Sequence, residues 1–314
     1  MRVIGPDDVA GRLAWRDVVE GLREGHRGPA GQVRDQFLER DGATLLSRAA
    51  WVPGIGIGVK SVTVKPDNPA AGRPSVHGAM VLFDERTGAV SAVIDSALVT
   101  RWKTAADSLL GATLLAPPEP ERLVILGAGE VADSLIEGYR AIFPSIGDIA
   151  LHNRTSARAE RLAARHGVRV GEDVADDVAR ADIVATATMS SAPVLAGRWL
   201  SPATHVDLIG AFTATMREAD DEVMRRGRLF VDARETTLDH IGELAIPLSA
   251  GTIAREDVLG DLGDLVAGRA GRRGDEITVY KNGGGAHLDV MTAAVILRAV
   301  AGSGSGPGSG WGGG

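Results

Sequence analysis

Apolar residues recur at roughly helical spacing between Val9 and Leu22 (Val9, Leu13, Val18, Val19, Leu22). Asp7 and Asp8 precede them as capping candidates, so the pattern predicts a helix over 9–22. The pattern then becomes strand-like over residues 45–51, 57–64, 79–83 and 89–94. Turn signals at Lys65-Pro66-Asp67-Asn68-Pro69 and Arg86-Thr87-Gly88 divide these stretches, and together they predict a mainly antiparallel sheet. An Ala- and Leu-rich helix follows over 104–115, stopped by Pro117-Pro118.

From Arg122 onward short apolar runs alternate with helical segments, the signature of a doubly wound parallel sheet. Strands are expected over 123–126, 149–152, 183–187, 205–209 and 229–231, with helices over 131–143 and 156–166 among them. Residues 277–280 read as a strand and 287–301 as a helix beyond that alternation, folding back on the first domain. The expectation is therefore an α/β protein. Residues 119–276 form a Rossmann-type dinucleotide-binding domain, and 1–118 with 277–301 form a discontinuous α+β domain. The Gly/Ser-rich tail, 302–314, is expected to be disordered, and Trp311 in it is given no role.

Net charge is −7, from 34 basic and 41 acidic residues, which leaves no basic footprint for nucleic acid. No run of about 18 uncharged apolar residues offers a membrane span. The first residues carry charges where a signal peptide needs apolar ones, so the expected compartment is the cytoplasm. The chain has no cysteine, which removes disulfides, thiolate nucleophiles and thiolate metal sites. No metal site is expected.

Leu126-Gly127-Ala128-Gly129-Glu130-Val131-Ala132 has the form GxGxxA between a strand and a helix, the context in which that pattern binds a dinucleotide. Gly127 permits the tight turn, Gly129 lets backbone approach a pyrophosphate, and Ala132 lets helix and strand pack closely. The diphosphate would lie on the positive end of the helix, against Ala128, Gly129, Glu130 and Val131. Asn153, 24 residues after Gly129, begins Asn153-Arg154-Thr155, where a site selective for NAD would carry a carboxylate for the ribose hydroxyls. Donors stand there instead, one of them cationic and suited to a 2′-phosphate. NADP(H) is expected in preference to NAD(H), which stays open.

Several segments resemble the ornithine cyclodeaminase/mu-crystallin family. They are Thr100-Arg101-Trp102-Lys103-Thr104-Ala105-Ala106-Asp107-Ser108, Ile183-Val184-Ala185-Thr186-Ala187-Thr188 with Pro193-Val194-Leu195, Asp207-Leu208-Ile209-Gly210-Ala211 with Met216-Arg217-Glu218, and Ile277-Thr278-Val279-Tyr280-Lys281 with Gly285-Ala286 and Asp289. The resemblance implies a homodimer whose first domain holds the substrate and forms the dimer interface, while the Rossmann domain presents the nicotinamide. It also implies hydride transfer at the carbon bearing a carboxylate, by way of an iminium. Two departures narrow the reaction. Phe212 stands where cyclodeaminases carry a catalytic aspartate, and a phenyl ring exchanges no proton. Lys103 replaces the usual arginine, and with Lys281-Asn282-Gly283-Gly284-Gly285-Ala286-His287 it resembles the bacterial branch that reduces 1-pyrroline-2-carboxylate.

The expected function is reduction of cyclic ketimine carboxylates: 1-pyrroline-2-carboxylate to L-proline, and its six-membered analogue to L-pipecolate. A cyclodeaminase, an alanine or opine-type dehydrogenase, and a non-catalytic NADPH-dependent binder are the alternatives. The resemblance puts Arg48, Lys60 and Lys103 on the substrate carboxylate. Each basic side chain has the alternative of an ordinary salt bridge. Thr186 and Thr188 either approach the nicotinamide ribose or are strand residues only. Lys281 is placed with the cofactor, and Asp289 either caps the last helix or meets the nicotinamide. His77 is the histidine proton donor by residue type, or else a structural histidine.

Overall fold

A computed structural model describes residues 1–302; residues 303–314, which hold nearly all of the expected tail and Trp311, lie outside the described residues. Two compact units are present. One comprises Met1–Gly21, Gly28–Thr100 and the C-terminal segment from Ala286, the other Leu22–Arg27 and Arg101–Gly285.

The first unit is built on six strands: β1 (Arg2–Ile4), β2 (Gln32–Arg40), β3 (Ala43–Val52), β4 (Gly56–Val64), β5 (Val76–Phe83) and β6 (Val90–Asp95). Their order is β1-β6-β5-β4-β3-β2. The pairs from β2 to β6 are antiparallel and β1 joins β6 in parallel. Alternation puts Lys60 and Val62 of β4, with Met80 and Leu82 of β5, on a buried face, and the helix Ala286–Ala301 packs on β2 to β5. β1 and β2 escape the periodicity reading because β1 is short and nearly every residue of β2 is exposed.

The expected helix over 9–22 is two helices, Pro6–Val9 and Trp15–Arg27. Gly11, in the left-handed region at φ 69°, breaks the run between them. Asp8 and Asp17 accept the Gly5 and Ala14 N–H groups at 2.8 and 3.0 Å, capping one helix each.

The second unit carries an eight-stranded parallel sheet. Its strands are β7 (Arg122–Leu126), β8 (Asp148–His152), β9 (Arg169–Val170), β10 (Ile183–Thr186), β11 (His205–Leu208), β12 (Arg228–Val231), β13 (Val258–Gly260) and β14 (Thr278–Lys281). The order β13-β12-β14-β11-β10-β7-β8-β9, with helices between successive strands, is Rossmann-like. Buried apolar residues such as Val124, Val184, Val206, Leu208 and Val279 form its core.

Here the chain departs from the expected boundaries. β14, assigned by its sequence to the first domain, lies between β11 and β12 and is hydrogen-bonded to both. The helix expected over 104–115 runs Ser96–Leu115, started by Asp95 accepting the Leu98 N–H at 2.9 Å, and its part from Arg101 belongs to the second unit.

Candidate active site

The glycine turn follows β7. Gly127 sits at φ 127°, and a Cβ there would lie 2.3 Å from the Ala187 carbonyl oxygen beyond β10, so a side chain is excluded by backbone. Gly129 is the N-cap of the helix Glu130–Ile142, which receives no side-chain cap. A Cβ on Gly129 would meet nothing within 4 Å. The first N–H groups of that helix, with no partner inside it, thus face a space that the missing Cβ keeps clear. That cradle fits a dinucleotide diphosphate.

Beyond β8, Asn153 donates from Nδ2 to the Thr155 carbonyl at 2.9 Å. Arg154 is exposed, and Thr155 is the N-cap of the helix Ser156–His166 without a side-chain cap bond. A cavity of about 300 Å³ opens between Ala128, Gly129 and Glu130 on one side and Arg158, Arg161 and Arg165 on the other. Arg165 is paired to Asp133 at 2.9 Å. The sequence signal for Arg158 and Arg161 is their recurrence with Arg165 three and four residues apart on the helix Ser156–His166, one helical face.

The ends of β10 and β11 meet around Glu218, which is fully buried. Its carboxylate accepts Thr186 Oγ1 at 2.8 Å, Thr188 N and Oγ1 at 2.7 Å each, and Gly210 N at 2.6 Å. Both threonine hydroxyls therefore donate to a buried carboxylate, which leaves their lone pairs as the atoms a ribose hydroxyl could reach. Lys281 is held inside the protein. It is fully buried, and its ammonium donates to the Leu208 and Asn282 carbonyls at 2.9 Å each. Burial pushes its pKa down against the opposing pull of Glu243 and Glu218. It ties β14 to β11. Phe212, two residues past Gly210, is 58% exposed.

Lys103 is 6% exposed on the helix Ser96–Leu115. Its Nζ sits so close to Gly284 that a Cβ there would be 2.4 Å away. One turn on, Asp107 accepts Tyr280 Oη at 2.6 Å. Burial, and next the charge of Asp232, push the Asp107 pKa well up.

In the first unit one row of cross-strand partners reads Asp35, Arg48, Lys60, Met80, Ile94. Arg48 and Lys60 thus stand side by side on one face. Both are engaged: Arg48 with Asp35 at 2.8 Å, and Lys60 with Asp289 at 2.7 Å and with Thr100 Oγ1 at 3.3 Å. Asp289 thus meets Lys60 across the first unit's buried face. His77 pairs with Thr63, three residues along from Lys60, so strand parity turns it to the opposite face, where it is exposed. The structure does not bring His77 together with Lys60.

Comparisons with known proteins agree in direction. The model of the ornithine cyclodeaminase/mu-crystallin family matches residues 49–304. The chain is 52% identical over 302 residues to Delta(1)-pyrroline-2-carboxylate reductase of Paracoccus denitrificans, covering 94% of this chain and 96% of the relative. It is 34% identical over 239 residues to mouse ketimine reductase mu-crystallin, covering 76% and 74%. Among solved structures, Thermococcus litoralis Delta(1)-pyrroline-2-carboxylate reductase in complex with NADH and L-proline superposes with a TM-score of 0.89 at 25% identity, covering 98% of this chain and 100% of that one.

Proposed function

The chain belongs to the ornithine cyclodeaminase/mu-crystallin family, and from that premise we propose that it reduces cyclic ketimine carboxylates with a nicotinamide cofactor. The preferred substrate is 1-pyrroline-2-carboxylate, giving L-proline, with the six-membered analogue giving L-pipecolate. The observation that carries this reading is Phe212. The family's cyclodeaminases keep a proton-exchanging carboxylate at this place, and this chain exposes a phenyl ring. The similarity to reductases points the same way.

When bound, the cofactor supplies the hydride. The chain's own part is to bind and orient. Gly127 and Gly129 keep the turn clear, and the helix N-terminus beyond them takes the diphosphate. Asn153, Arg154 and Thr155, joined by Arg158 and Arg161 across the cavity, favour the 2′-phosphate of NADPH over NADH. Lys103 takes the substrate carboxylate as a compact cation. In the first unit Lys60 and Arg48 are each already held by a carboxylate partner. The cyclic imine arrives protonated, so no side chain of the chain need act as its acid.

We assign the protein to a homodimer through the first unit. β2 is an edge strand exposing Phe37 and Leu38 at 59% and 57%, an apolar edge that a second copy would cover. Light scattering at micromolar concentration should give twice the chain mass. The function is tested by steady-state assay of both cyclic imines with NADPH and NADH, alongside ammonia release from L-ornithine. Imine turnover with NADPH and no ammonia supports the reading, and ammonia release with catalytic cofactor contradicts it.

A further inference from the structure

The loop after β14 is pinned at both ends and closes on a charge. Asn282 ties one end to the helix Ser96–Leu115, donating from Nδ2 to the Thr104 carbonyl and to Ser108 Oγ, each at 2.9 Å. At the other end the Gly284 N–H donates to Asp232 Oδ2 at 2.5 Å. Gly284 lies at φ 70°, with Lys103 Nζ 2.4 Å from where its Cβ would be. The Gly284 peptide therefore limits where the Lys103 ammonium can rest, and Asp232 fixes that peptide.

Asp232 is buried at the end of β12, and its other oxygen accepts the Ala233 N–H and Thr237 Oγ1 at 2.7 Å each. It cannot swing aside without stranding two backbone N–H groups in a buried place. Asp107, one helical turn from Lys103, has its pKa pushed well up by burial and next by the charge of Asp232.

We infer that Asp232 is a positioning residue for Lys103, acting through the Gly284 peptide to hold the ammonium where the substrate carboxylate is taken up. The inference rests on the assignment of that carboxylate to Lys103. It names a residue outside every motif quoted from the sequence.

The test reads the ammonium directly and then its function. Asp232→Asn keeps the shape, removes the charge and sets an amide N–H₂ against one of the donors. Lys103 acylation by acetic anhydride, followed by peptide mass, should speed up about tenfold, the scale of one lost hydrogen bond to a charged group, while exposed Lys65 reacts unchanged. KM for 1-pyrroline-2-carboxylate, and Kd for the planar analogue pyrrole-2-carboxylate, should rise by a similar factor. The Kd for NADPH should stay put, a split that general loosening would not give.

Unchanged Lys103 acylation, or equal losses for NADPH and the carboxylates, overturns the inference. If Asp232→Asn does not fold, Gly284→Ala decides. It presses on the ammonium from the loop side, and the same split is expected; unchanged acylation and KM in that folded variant overturn the inference. A wild-type protein that turns over no imine refutes the functional reading, whereas the acylation result judges the positioning role by itself.

Discussion

Two glycine segments end strands of the same parallel sheet and do opposite things. Gly127-Ala128-Gly129 is open: a Cβ on Gly127 would meet Ala187 backbone, one on Gly129 would meet nothing within 4 Å, and a cavity edged by arginines leaves room for something that is not protein. Asn282-Gly283-Gly284-Gly285 is closed: Asn282 is bound to the helix Ser96–Leu115, Gly284 to Asp232, and a lysine ammonium lies 2.4 Å from where a Gly284 Cβ would be. A glycine can thus mean an approach for a ligand or a seat for a neighbouring side chain. Which one applies is decided by what tertiary structure brings to it, and substitutions on the two sides should separate them.

The largest effect is expected on the closed side. Lys103→Met keeps length and stem but loses the charge, so kcat/KM for the cyclic imine should fall by about 2–5 kcal/mol, the scale for one partner of a desolvated pair. NADPH affinity should hold. Lys103→Arg restores the more common family residue and should keep part of the activity, with altered substrate preference. Wild-type turnover by a folded Met variant would remove Lys103 from the site.

The polar network behind the closed loop gives a pH test. Asp207 accepts Ser108 Oγ at 3.0 Å and Tyr139 Oη at 2.9 Å, and Ser108 in turn accepts from Asn282. Burial raises the Asp207 pKa from 3.8 to about 7. The folded state then holds a proton that the unfolded chain has lost, so stability from this group is full below pH 3.8 and is lost as pH rises to about 7. Asp207→Asn does not titrate. Relative to wild type its unfolding free energy should therefore improve by up to about 4 kcal/mol between pH 4 and 7. His205, pushed down to about 3 by burial, titrates alike in both proteins and cancels. A pH-independent difference in denaturant melts would show that Asp207 is ionised throughout.

On the open side, Arg154→Ala should weaken NADPH by about 1.5–3 kcal/mol and leave NADH nearly unchanged, since only a 2′-phosphate engages the guanidinium. Equal effects on both cofactors would make Arg154 a bystander. The smallest pair of effects tests the glycines themselves. Gly127→Ala should cost about 1–3 kcal/mol of stability without any cofactor, from a strained φ against backbone. Gly129→Ala should leave the cofactor-free melt unchanged and weaken cofactor binding alone.

The open turn was legible in the sequence because strand, turn and helix are local and each glycine has a local reason. β7, β8, β10, β11 and β12 were legible for the same cause, as short buried runs, whereas β9, two exposed residues, was not. β14 was a harder case. Thr278, Tyr280 and Lys281 are polar residues buried by tertiary partners, and nothing local tells that their strand inserts between β11 and β12. The same blindness hid Glu218, which absorbs the hydroxyls of Thr186 and Thr188, and Asp232, 52 residues before the peptide it holds. His77 was chosen by residue type, and only strand register separates it from Lys60.

The central claim is hydride delivery to the imine carbon, and isotope transfer tests it most directly. NADPH deuterated at nicotinamide C4, on the face that is transferred, should be incubated with 1-pyrroline-2-carboxylate and the product read by mass spectrometry and NMR. The account predicts L-proline carrying one deuterium at C2 for each NADPH oxidised. Proline without label, or NADPH left unoxidised while L-ornithine is converted to proline and ammonia, would contradict it.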